Sequence, residues 1–293
     1  MARFDLRGMG VALITPFKTD KSIDFEALAK LLEYQINNGA DYLVVLGTTA
    51  ETPALSADER QQVRSFVAER VAGRLPLVLG CGGNNTAAVV EEIKKINPLE
   101  YGAALSVVPF YNKPSQEGIF QHYTAIADAS PVPVVLYNVP GRTGVNMTAE
   151  TTLRLTSHPN IIGIKEASGN IAQVDEIIKH KPAEFLVISG DDGITYPLVT
   201  LGAAGVISVI GNAFPREFSK MVRLALAGQY DAAREIHYRF TDLFSLLFVD
   251  GNPAGVKCLL HAMGFIENEL RLPLVPTRIT TYEKIRRVLD SLN

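Results

Sequence analysis

Two cysteines in 293 residues, Cys81 and Cys258, are too few and too widely spaced for a disulfide framework or a zinc site. Both are expected to act as small buried hydrophobes in a reducing compartment. The formal net charge is only −3, and no cluster of Lys and Arg makes the basic stripe that a phosphate backbone demands. Nucleic acid is therefore not an expected partner. No low-complexity tract interrupts the chain, which excludes the disordered, collagenous and coiled-coil classes. None of the five histidines makes a plausible metal cluster with acidic neighbours, and no Gly-rich dinucleotide or phosphate loop follows a strand. Chemistry without a metal or a cofactor is expected.

What is present points to a compact globular chain, with 47% hydrophobic and 20% charged residues. Arg3, Asp5 and Arg7 fall where a signal peptide needs its apolar segment, so a cytoplasmic location is expected. One stretch, 194–214, lacks charge and is long enough to cross a bilayer. Gly202-Ala203-Ala204-Gly205 divides it into a short helix and a β-branched strand, Val206-Ile207-Ser208-Val209-Ile210, which suits a barrel wall and no membrane.

Short apolar runs rich in β-branched residues recur at 10–15, 42–47, 76–81, 103–109, 134–139, 161–166, 185–191 and 206–211. They lack the polar alternation of a half-solvated sheet and read as strands buried on both faces. Helical patterns lie between them. Over 24–36, Phe25, Leu28, Leu31, Leu32 and Ile36 share one stripe. Ser56-Ala57-Asp58-Glu59 matches a capping box, and Gly39, Gly73 and Gly102 fall where left-handed caps or turns belong. The count and regularity of the units favour a closed (β/α)8 barrel, an α/β fold, although a doubly wound open sheet shares the local pattern. Further helices are expected at 215–227, 230–246, 253–263 and 279–292. The expected division is a catalytic barrel over 1–224 and a C-terminal helical extension over 225–293.

Barrels of this kind carry their chemistry at the C-terminal ends of the strands. Here those ends read Gly47-Thr48-Thr49-Ala50-Glu51, Pro109-Phe110-Tyr111-Asn112, Tyr137-Asn138-Val139-Pro140-Gly141-Arg142, Gly163-Ile164-Lys165-Glu166 and Ser189-Gly190-Asp191-Asp192. Lys165 follows Ile161-Ile162-Gly163-Ile164, apolar neighbours that would desolvate it and favour the neutral amine, which can attack a ketone to form an imine. The alternative is a strand-end lysine paired with Glu166 or Asp191. Tyr137 sits where a phenol can relay protons, or simply packs. Thr48 and Thr49 offer hydroxyls for a small carboxylate, but threonines also suit an ordinary strand end. Arg142, after a Pro-Gly turn, can grip a carboxylate through its planar fork or stay in solvent as loop arginines commonly do.

Together these motifs, with Thr143-Gly144 and Ala167-Ser168-Gly169 completing two of them, resemble the dihydrodipicolinate synthase family. The resemblance runs from about Gly8 to the C-terminus. It implies condensation of pyruvate with aspartate semialdehyde on the route to diaminopimelate and lysine. It assigns Lys165 as the Schiff-base lysine and Tyr137 as the centre of a proton relay completed by Thr48 and Tyr111. In the family that last tyrosine reaches a neighbouring subunit's site, which implies a dimer as the minimal unit and a homotetramer built as a dimer of dimers. It places Thr49 on the pyruvate carboxylate, Arg142 on the semialdehyde carboxylate, and Gly190, Asp191 and Ile207 along the pocket.

The wider superfamily includes N-acetylneuraminate lyase and 2-keto-3-deoxy sugar acid aldolases, which share the lysine and tyrosine, and Arg142 favours the synthase over them. A binding barrel without turnover would be free to lose Lys165. Ala50 replaces the family's usual glycine after the threonine pair, a change that restricts positive φ without disturbing the hydroxyls. Positions matching the family's lysine feedback site are Ala57, Arg60, Ala88 and Phe110, with only Asn84 retained. Loss of a carboxylate for the effector's ammonium removes a charge-assisted bond worth about 1.5–3 kcal/mol, so weak or absent lysine inhibition is expected.

Overall fold

The structure is a computed structural model and describes residues 5–292. Its strands are β1 (Gly8–Ala12), β2 (Tyr42–Val45), β3 (Leu77–Gly80), β4 (Ala103–Val107), β5 (Val134–Asn138), β6 (Ile161–Glu166), β7 (Leu186–Ser189) and β8 (Gly205–Ser208). Each pairs in parallel with the next, and β8 closes on β1 through Gly8 opposite Gly205 and Met9 opposite Val206. The closed barrel excludes the open doubly wound sheet. At the closure a side chain on Gly205, whose φ is +150°, would meet the Gly8 carbonyl oxygen at 1.9 Å, so the seam needs glycine.

Helices between the strands are α1 (Phe25–Asn37), α2 (Ala57–Val71), α3 (Thr86–Ile93), α4 (Gln116–Ala129), α5 (Pro140–Thr143), α6 (Ala149–Leu155), α7 (Ile171–His180) and α8 (Thr195–Leu201). After β8 come α9 (Pro215–Leu226), α10 (Tyr230–Val249), α11 (Ala254–Ala262) and α12 (Ile279–Leu292). The capping box forms as expected: Glu59 N donates to Ser56 Oγ at 3.2 Å and Ser56 N donates to the Glu59 carboxylate at 2.9 Å. Gly39 and Gly73 take left-handed φ, but Gly102 does not. Its N–H instead donates to Leu77 O at 2.9 Å.

The strands are mostly shorter than the apolar runs that announce them. Leu13 and Ile14, beyond the end of β1, are still only 3% and 1% exposed, because the loops over the barrel mouth are themselves packed. Apolar composition reports burial, whereas a strand also needs a ladder partner. The core has two layers. Ala12, Val44, Val78, Tyr137 and Ile207 fill the barrel, and a larger cluster lies between strands and helices. The stretch 194–214 divides into α8, β8 and a 3-10 turn, and among the described residues no helix is long and apolar enough to cross a membrane. Cys258 is buried, but Cys81 is only half-buried and lines cavities at the barrel mouth. Residue 224 lies inside α9, and α10 packs against α8, α9, α11 and α12.

Candidate active site

The barrel mouth encloses a cavity of about 990 Å³, bordered by Thr48, Thr49, Tyr137, Arg142, Lys165, Gly190 and Asp191. Lys165, near the end of β6, is 6% exposed and lies opposite Tyr137 in the β5–β6 register. Its Nζ is 4.4 Å from the centroid of the Tyr137 ring. The pairing with Glu166 does not form. Strand alternation turns Glu166 to the other face, where its carboxylate accepts from Asn138 Nδ2 at 2.5 Å, Gln173 Nε2 at 3.0 Å, Ser168 N at 3.0 Å and Ser168 Oγ at 2.6 Å. Asp191 spends one oxygen on Gly193 N at 2.8 Å, capping the turn after β7. Lys165 is thus a cavity amine without an ion-pair partner among the described residues.

Thr48–Ala50 forms a short 3-10 turn after β2. Thr49 is buried and its Oγ1 accepts from Asn252 Nδ2 at 3.0 Å, while Thr48 is exposed at the rim. Arg142 on α5 is exposed, and its Nη2 donates to Asn252 O at 3.3 Å. Asn252, in the loop between α10 and α11, therefore touches both candidate carboxylate-binding residues, and its Oδ1 is buried without a hydrogen-bond partner among the described residues. The sequence reading missed it. An Asn-Pro step reads as an ordinary turn, and only the fold brings it to a threonine 203 positions away.

Gly190 explains itself sterically. Its N–H donates to Glu166 O at 2.7 Å, and an added Cβ would lie 2.7 Å from Ala167 Cβ and 3.0 Å from Lys165 Cε. The next acid, Asp192, accepts from Val209 N at 3.0 Å and Ile210 N at 2.8 Å, tying the loops after β7 and β8 together. Burial pushes its carboxyl up to about 6. Burial likewise pushes the Cys81 thiol up to about 11, so this cysteine stays protonated and unreactive near neutrality.

Two candidate residues do not reach the cavity. Ile207 is 1% exposed and belongs to the barrel's interior cluster, outside the lining of the cavity. Tyr111 holds a left-handed φ of 75° and is 88% exposed, while its neighbour Phe110 lines the cavity instead. A second, smaller cavity of about 240 Å³ is bordered by Arg60, Arg64, Asn84, Ala88 and Glu92. Among the described residues no group of three His, Cys, Asp or Glu side chains converges as a metal site.

A primary amine, a phenol on the adjacent strand, a buried hydroxyl and a guanidinium around one cavity can together hold a 2-oxo acid and form an imine with it. Known proteins bear on the choice of acid and on the fate of the imine. A 4-hydroxy-tetrahydrodipicolinate synthase of Parabacteroides distasonis is 70% identical over 294 residues, covering 100% of this chain and 99% of that one. The crystal structure of dihydrodipicolinate synthase from Thermotoga maritima superposes with a TM-score of 0.95 at 42% identity, covering 98% of each chain. A structure described as the first monomeric dihydrodipicolinate synthase variant gives 0.95 at 41% identity, covering 98% of this chain and 96% of that one. The model of the dihydrodipicolinate synthetase family matches residues 5–292, and this chain belongs to that family.

Proposed function

We propose that this enzyme condenses pyruvate with L-aspartate 4-semialdehyde as a 4-hydroxy-tetrahydrodipicolinate synthase, through a Schiff base on Lys165. The observation that carries the reading is Lys165 beside Tyr137, without an ion-pair partner among the described residues, and Thr49 and Arg142 bridged by Asn252 at the edge of the same cavity. Neutral Lys165 Nζ attacks the keto carbon, and loss of water leaves the imine. A methyl proton then leaves, and the electron pair moves into the protonated imine to give an enamine. The enamine carbon bonds to the aldehyde carbon of the second substrate, whose oxygen takes a proton and becomes the hydroxyl. Attack of the second substrate's amine on the imine carbon closes the ring and expels Lys165.

Tyr137 moves protons at the imine-forming carbon, with Thr48 continuing the relay toward solvent. Thr49 holds the pyruvate carboxylate and Arg142 the carboxylate of the semialdehyde. Gly190 and Asp191 shape the wall beside Lys165, and Ile207 fills the barrel interior that also holds Tyr137. We assign Tyr111 to the site of a second copy, in a homotetramer built as a dimer of dimers. Its exposure and left-handed backbone support that reading, since both hold the ring away from its own cavity. The helical extension is read as a unit over 225–293 added to the barrel, beginning within the last turn of α9. Free Cys81 and Cys258 accord with a reducing compartment, and we place the enzyme in the cytoplasm.

Lysine feedback is read as weak or absent. In the smaller cavity Arg60 and Arg64 oppose an ammonium, and the nearby Glu92 is engaged by Lys95 at 2.7 Å. A coupled assay with a downstream reductase tests the whole reading. Product is expected from pyruvate plus aspartate semialdehyde, with none from N-acetylneuraminate or keto-deoxy sugar acids, and millimolar lysine is expected to leave the rate unchanged. Borohydride with pyruvate should add mass at Lys165, and an unlabelled Lys165 would refute the mechanism.

A further inference from the structure

The interior holds a second buried lysine. Lys257 on α11 forms an ion pair with Glu51, and both side chains are 0% exposed. Neither borders the main cavity, so neither touches substrate. Lys257 Nζ also donates to Glu269 O at 2.9 Å and lies 4.1 Å over the Phe17 ring. The other Glu51 oxygen accepts from Arg271 N at 3.0 Å. The pair is satisfied on every side.

Packing alone does not explain it. Removing two charges from water costs about as much as their attraction returns, and apolar residues of the same volume commonly serve a core as well or better. What such a pair supplies is a fixed geometry. Glu51 ends the 3-10 turn that carries Thr48 and Thr49, and its backbone is held at a φ of 54° and ψ of 34°, a conformation a non-glycine residue adopts reluctantly. Leu46, just before the turn, is also left-handed. Asn252, five positions before Lys257, grips the Thr49 hydroxyl. One C-terminal segment therefore holds the turn at its hydroxyl and at its end.

We propose that the Lys257–Glu51 ion pair is a positioning pair that fixes the Thr48–Ala50 turn for the carboxylate of the 2-oxo acid substrate. The inference rests on the proposed function and assigns the C-terminal extension a part in selecting the first substrate. Without the pair the turn relaxes toward right-handed backbone at Glu51, and Thr49 leaves its place opposite Lys165.

The test uses the full-length enzyme, with the half-saturating pyruvate concentration for borohydride labelling of Lys165 and KM and kcat for both substrates. In Glu51→Gln and Lys257→Met we expect half-saturation by pyruvate to rise about tenfold or more, while the KM of aspartate semialdehyde, held by Arg142 outside the turn, moves less than about threefold. The double variant should shift no further than the larger single one, because the residues act as a unit. Half-saturation within about twofold of the parent in both single variants overturns the proposal. So does an equal loss for both substrates, or failure of both variants to fold, which would make the pair purely structural. Absence of labelling in the parent would instead overturn the Schiff-base reading itself.

Discussion

Tyr137 and Lys165 lie side by side in the β5–β6 ladder, and the Lys165 Nζ stands 4.4 Å from the centroid of the tyrosine ring. Both point into the barrel mouth because strand alternation sends their neighbours, Asn138 and Glu166, to the opposite face. The inward pair faces the cavity, and the outward pair is bonded to each other and braces the strand ends.

Phenylalanine at position 137 keeps the ring and removes the proton carrier. We expect Tyr137→Phe to lower kcat by about 10²–10³, the range typical for loss of a positioned acid or base. Lys165 should still be labelled by pyruvate and borohydride, only more slowly. A kcat within about threefold of the parent would remove Tyr137 from the relay.

Arg142 reaches the cavity from the exposed helix α5, and among the described residues its side chain makes one hydrogen bond, to Asn252 O. Its loss should therefore cost little stability. For Arg142→Met we expect the KM of aspartate semialdehyde to rise about 10- to 150-fold, the equivalent of about 1.5–3 kcal/mol for a charge-assisted bond. Pyruvate labelling of Lys165 should be unchanged. Equal weakening for both substrates would show that the guanidinium does not distinguish them.

The barrel and the positions of Lys165, Tyr137 and Thr49 were legible because local signals agreed with the fold. Buried β-branched runs mark strands, and the strand ends mark the chemistry. Asn252, Lys257 and Glu51 were not legible. Their meaning lies in contacts spanning 203 and 206 positions, for which no periodicity exists. Asp192 stands in the sequence only as the last residue of the strand end Ser189-Gly190-Asp191-Asp192, and its bonds to the loop after β8 appear only once the barrel closes. Tyr111 shows the converse, since the chain alone leaves it in solvent.

Gly190 has no unusual φ, so its requirement is purely spatial. Gly190→Ala places a methyl against Ala167 Cβ and Lys165 Cε. Overpacking of this kind costs about 1–3 kcal/mol, which lowers Tm by about 2–12 °C in a chain of this size. The shortest contact is to Ala167 Cβ, which is fixed to its backbone, so the strand end carrying Lys165 must shift, and labelling by pyruvate should slow about tenfold or more. An unaltered labelling rate together with a lowered Tm would show that the shift leaves Lys165 in place.

Two buried groups make opposing contributions to stability between about pH 4 and 6. His122 on α4 is held neutral by burial, its pKa lowered from 6.5 to about 4, with Nδ1 bonded to Thr86 Oγ1 at 2.9 Å and Nε2 without a partner among the described residues. As pH falls through that window the unfolded chain takes up a proton that the folded chain refuses, so stability drops. Asp192 behaves oppositely, its pKa raised from 3.8 to about 6 by burial. Between those values the folded chain holds the extra proton, so stability rises as pH falls, by at most about 3 kcal/mol. The two slopes largely cancel in the parent. Urea melts from pH 7 to pH 4 should therefore separate them: His122→Gln should gain stability relative to the parent as acid is added, and Asp192→Asn should lose it. The remaining carboxylates titrate alike in all three proteins and drop out of the differences. Parallel curves for the parent and both variants would refute both assignments.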